Sequence, residues 1–108
     1  MEAQIAFRVR DHERPAIEVR VNFGVYASRG ATPAEIDDLA HTLRGEVDAF
    51  TIVGEERHEF ESDVEASLHQ VVITVSEGSD DLAAVIVYIA SRWAEACFAA
   101  RHSGLADV

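Results

Sequence analysis

The sequence predicts an α+β domain: a four-stranded antiparallel sheet with two helices on one face, in the order ββαββα. Three observations carry this. Two pairs of short runs alternate apolar and polar residues with the period of a half-buried strand. A Thr-Pro-x-Glu start opens a helical pattern after the first pair. A long apolar helical stretch follows the second pair.

Ile5, Phe7 and Val9 alternate with Ala6, Arg8 and Arg10, and Asp11–Pro15 is a polar turn in which Pro15 stops pairing. Ile17, Val19, Val21, Phe23 and Val25 then alternate with Glu18, Arg20, Asn22 and Gly24, so the first two strands form a hairpin. After the loop 28–31, Thr32 is the N-cap, Pro33 the first helical residue and Glu35 the other half of a capping box. Ile36, Leu39, Ala40, Leu43 and Val47 share one helical face, and Gly45 helps to end the helix. Phe50, Ile52 and Phe60 mark a third strand, with a bulge expected near Gly54. Ser62–Glu65 is the expected reversal, and Val71, Ile73 and Val75 mark the fourth strand. Ser79 caps the last helix, Asp80 and Asp81 suit its first turn, and Leu82, Val85, Ile86, Ile89, Trp93 and Cys97 form its core stripe.

From the second strand onward this order resembles a ferredoxin-like domain lacking its final strand, and the N-terminal strand supplies a partner at the same sheet edge. The expectation is a circularly permuted ferredoxin-like sandwich, a likeness of fold that carries no function. Its core face would hold Ile5, Phe7, Val9, Ile17, Val19, Val21, Phe23, Ile52, Val71, Ile73 and Val75. Its open face would hold Arg8, Arg10, Glu18, Arg20, Asn22, Thr51, Val53, Arg57, Val72 and Thr74, with arginines and glutamates pairing across strands.

With 108 residues the chain is one domain, 1–108, large enough for one core. Twenty acidic residues against nine basic ones give a formal charge of −11. All nine basic residues are arginine, which excludes Schiff-base, general-base and phosphate-loop lysines. The acidic balance argues against nucleic acid and anionic membranes as partners, and leaves a basic protein, a cation or solubility. The single Cys97 forms no internal disulfide, and Met1–Gln4 does not resemble a signal peptide. Ser91, Arg92 and Glu95 interrupt the apolar stretch 82–100, so the expectation is a cytoplasmic protein without a membrane span.

Three candidate sites emerge. The last helix is apolar beyond its core stripe, and Val87, Tyr88, Ala94 and Phe98 form a flank expected to meet a protein partner or a second copy. His58 and His69 face each other if the reversal is centred between Asp63 and Val64. With Glu56 they would then offer two imidazoles and a carboxylate to a divalent metal, although the spacing matches no motif and solvated histidines are the plainer reading. Arg29, Gly30 and Thr32 precede a helix N-terminus and could hold an anion, although a capped turn is the plainer reading. Cys97 lies in a core stripe and no nucleophilic motif is present. The sequence therefore points to a small acidic, non-enzymatic accessory module with no cofactor, of the regulatory, inhibitor or immunity type, acting through its last helix, its sheet edge or both. A dimeric metal protein or enzyme built on the histidine pair, and an acidic nucleic-acid mimic, are the alternatives.

Overall fold

The computed structural model describes residues 5–9, 16–27, 29–61 and 64–106. The expected turn 11–15, Ser28 and the reversal residues Ser62 and Asp63 lie outside them. The chain runs β1 (Ala6–Val9), β2 (Ile17–Val21), α1 (Phe23–Ala27), α2 (Pro33–Leu43), β3 (Thr51–Glu61), β4 (Val64–Val75) and α3 (Asp80–Ala106). The strands form one antiparallel sheet in the order β1-β2-β4-β3, so the domain is α+β. It has one helix more than the sequence led us to expect.

One face of the central strands fills the core. Ile17, Val19 and Val21 of β2 and Val71, Ile73 and Val75 of β4 are buried with Leu39 and Leu43 of α2 and Ala83, Ile86, Ala90 and Ala94 of α3. The small alanines let α3 lie close to β1 and β2, which it packs against. By length and apolar composition the stretch Asp80–Ala99 would also suffice to cross a membrane. In this domain its Ala83–Ile86–Ala90–Ala94–Cys97 face lies in the core.

Local chemistry sets the helix starts. Thr32 Oγ1 accepts the Glu35 N–H at 3.2 Å, and the Glu35 carboxylate accepts the Thr32 N–H at 2.9 Å, completing the capping box. Ser79 Oγ accepts the Leu82 N–H at 3.1 Å at the head of α3. The indole of Trp93 donates to the Glu35 carbonyl at 2.8 Å and so pins α3 to α2.

Two expectations change. Phe23 and Val25 continue the alternation of β2, yet the chain leaves the sheet after Val21 and coils into α1. That helix buries Phe23 and Ala27, an i, i+4 pair, and exposes Val25. In β1 the faces are reversed. Phe7 pairs opposite Arg20 and Val9 opposite Glu18, on the open face, whereas Ala6 is buried opposite Val21. Arg8 lies on the helix side and binds Asp80 at 2.6 Å, at the start of α3. The cross-strand partner decides the face, and this four-residue strand is too short for its own alternation to override it.

Candidate functional site

β3 and β4 outlast the rest of the sheet. β2 pairs with β4 only over Val71–Val75, while β3 and β4 continue together from Glu55↔Gln70 to Glu61↔Val64. Those seven residue pairs form a two-stranded ribbon reaching roughly 20 Å beyond the body. The radius of gyration, 14.7 Å, exceeds the roughly 13 Å of a compact chain of this length, as the ribbon and the 27-residue α3 require. Pairing runs unbroken across Gly54, so the expected bulge is not there.

The ribbon concentrates charge. Residues 55–70 carry Glu55, Glu56, Glu59, Glu61, Asp63 and Glu65 against the single Arg57, so five of the eleven net negative charges fall in this segment. Phe60, near its end, is 72% exposed, and Val53, near its root, is 51% exposed. The acidic run was legible in the sequence; the exposure of Phe60 was not, because its spacing suits a core position.

At the root, α1 rests on β4. A Cβ at Gly24 would lie 2.8 Å from the His69 backbone nitrogen, so glycine permits the approach. This contact covers β4 where β2 stops. On the outer face Arg20 ties the root together: it donates to Glu18 at 2.7 Å, to Glu55 at 3.2 Å and to Gln70 at 3.0 Å. Gln70 in turn donates to Asn22 at 2.8 Å. Burial lowers the Arg20 pKa, but its bonds to Glu18 and Glu55 outweigh this and raise it. Arginine–glutamate pairing across strands is thus present on the open face. Val72 is buried there because it sits on the central strand between Arg20 and Val53.

The histidines do not meet as expected. His58 pairs opposite Ser67, and His69 opposite Glu56, because the reversal falls one residue earlier. Moving a reversal by one residue moves each partner by two, so His58, His69 and Glu56 still share a face. Glu56 lies between them, 3.0 Å from His58 Nε2 and 4.0 Å from His69 Nδ1. Among the described residues no group of three His, Cys, Asp or Glu is arranged to hold a metal.

The loop before α2 faces the same region. Gly30, Ala31 and Phe23 border a cleft of about 230 Å³ shared with His69 and Glu56, so two sites predicted separately adjoin. Arg29, however, is committed elsewhere. Its guanidinium forms a two-point bond with Glu35, both contacts 2.8 Å, and lies 5.3 Å from the Phe23 ring centre. The charge of Arg29 and the N-terminus of α2 are therefore answered by the chain's own carboxylate, which covers Thr32 as well. That bond, opposed by burial and helped by Thr32, lowers the Glu35 carboxyl to about 2. Burial first, and then Glu35, raises the Cys97 thiol to about 12, so it stays protonated and a poor nucleophile.

The flank of α3 is mostly core. Ala94 is fully buried, Val87 and Phe98 pack against the core cluster, and only Tyr88, 66% exposed, faces outward. The cover is α1: Phe98 meets Phe23 edge-on and stacks on Tyr26, each with ring centres 5.4 Å apart. Reading residues 23–25 as strand left this flank bare. Tyr88 instead borders a groove of about 560 Å³ between α2 and α3, with Trp93, Arg92 and His41.

No family model, curated protein or solved structure matches the chain.

Proposed function

We propose that this protein is a small, cytoplasmic, non-enzymatic interaction module, a regulatory, inhibitor or immunity-type subunit, which docks a basic protein through the β3–β4 ribbon. The observation that carries this reading is the ribbon itself. Seven residue pairs continue beyond the body, and among the described residues β3 and β4 are there each other's only strand partners. Two strands alone are marginal in water, so such an extension is best explained by a surface that completes it. Its charge names the surface: five net negative charges in sixteen residues favour a basic one and disfavour a second copy. The α3 flank, mostly buried, plays no part in this reading.

The test shortens the ribbon. Residues 58–67 are replaced by Asn-Gly, a two-residue hairpin turn joining the paired positions Arg57 and Leu68. Intact and shortened proteins are then used as bait in the native host. A partner with a basic surface, held by the intact protein and lost by the shortened one at equal thermal stability, is the expected result. A partner held equally by both would overturn the reading.

A further inference from the structure

We infer that the outer edge of β3 is a strand-addition site, which takes an extended basic segment of the partner as a fifth strand. This rests on the interaction reading above and specifies how the partner is held.

The backbone supplies the first argument. All eleven residues of β3, Thr51–Glu61, pair with β4 in unbroken register, with no proline and no bulge. In an antiparallel pair, every second residue turns its N–H and C=O away from its neighbour. Along β3 these groups line one side of a straight edge, and among the described residues β4 is the only element packed extensively against this strand. Long regular edges are templates for another strand, and proteins that leave them unpaired usually shorten, bulge or interrupt them. The opposite edge of the sheet, β1, is four residues long. The free side of β4 within the ribbon is obstructed at His69 by α1. β3 therefore holds the one long accessible edge among the described residues.

Charge selects the incoming strand. β3 itself carries Glu55, Glu56, Glu59 and Glu61 against Arg57. A second copy paired along this edge would set this acidic strand against itself, and like charges opposite one another on neighbouring strands are destabilising. An incoming segment rich in arginine or lysine meets opposite charge instead, while backbone hydrogen bonds supply affinity that depends little on sequence. Val53 and Phe60, both exposed and on opposite faces of β3, give an apolar residue on either face of such a segment a place to pack.

The probe is a synthetic peptide as long as β3, alternating arginine with valine, bound to the full-length protein and followed by fluorescence anisotropy. Two further peptides carry N-methyl groups on alternate residues, one set on each edge, so that either edge loses its backbone donors without touching the protein. The proposal expects the parent peptide to bind. It expects one N-methylated peptide to bind about tenfold or more weakly and the other to bind like the parent, since only one edge faces β3. Equal binding by all three would overturn strand addition and leave the acidic-ribbon reading standing. A peptide alternating glutamate with valine that binds as tightly as the basic one would overturn the charge argument and the acidic-ribbon reading together. A concentration-dependent dimer, dispersed by the basic peptide, would make a second copy the occupant and overturn the proposal.

Discussion

Gly24 of α1 sits against the backbone of His69 in β4: a Cβ added at position 24 would come within 2.8 Å of the His69 nitrogen and 2.9 Å of its Cβ. The atoms it would meet are backbone and the first side-chain carbon, which cannot swing aside. Helix propensity alone would make Gly24→Ala favourable by about 1 kcal/mol. The overlap is the larger effect, since forcing a methyl into a closed contact costs about 1–3 kcal/mol. Urea unfolding of Gly24→Ala should therefore show a lower midpoint than the parent. A raised midpoint would mean that α1 does not lie on β4.

Phe98 and Tyr88 should behave as opposites. Phe98→Ala removes ring contacts with Phe23 and Tyr26 and should cost about 2 kcal/mol or more, short of the full value for a wholly buried ring. Tyr88→Ala, at an exposed position, should change stability by less than about 0.5 kcal/mol. Thermal unfolding of the two variants separates core from surface on this helix.

Acid should unfold the domain partly through Glu35. Its folded pKa is depressed from 4.5 to about 2, chiefly by the bond to Arg29. The sign follows: the stabilisation is complete above the unfolded value and is lost as pH falls through about 2. The shift corresponds to about 3 kcal/mol at most. Denaturant midpoints measured between pH 6 and pH 2 should fall, and Glu35→Gln should be less stable at pH 6 with a flatter profile.

Cys97 should resist modification in the folded protein. Its thiol is raised from 9.0 to about 12, so few thiolates form near pH 8. Above pH 9 the unfolded chain ionises first, and stability should decline as pH rises toward 12. Labelling by iodoacetamide at pH 8 should be slow until denaturant is added. Immediate labelling of the folded protein would place this thiol outside the core.

Local signals in the sequence translated directly into structure. Thr32 and Glu35 form their capping box, Ser79 caps α3, and the long alternation of β2 and β4 buries Ile17, Val19, Val21, Val71, Ile73 and Val75. Each depends on neighbours a few residues away, or on a pattern repeated often enough to fix one face. Phe23 and Val25 were misleading because a short apolar run fits either period, and burial of Phe23 with Ala27 favoured the helix. The candidate site was legible in its charge and in the identity of Glu56, His58 and His69. Its shape was not.

By itself the sequence determined the α+β class, the starts of α2 and α3, the acidic charge and the inertness expected of Cys97, because composition and short-range hydrogen bonding dictate these. Tertiary structure alone decided which face of β1 turns inward, since pairing with β2 outweighs four residues of alternation. It also decided that α1 covers Phe98, that Arg29 belongs to Glu35, and that β2 stops at Val21 while β3 and β4 run on. Where strands end depends on what the neighbouring chain does at that point in space, and here α1 takes over from β2 and covers β4 at His69, while the acidic outer edge of β3 has no strand beside it among the described residues.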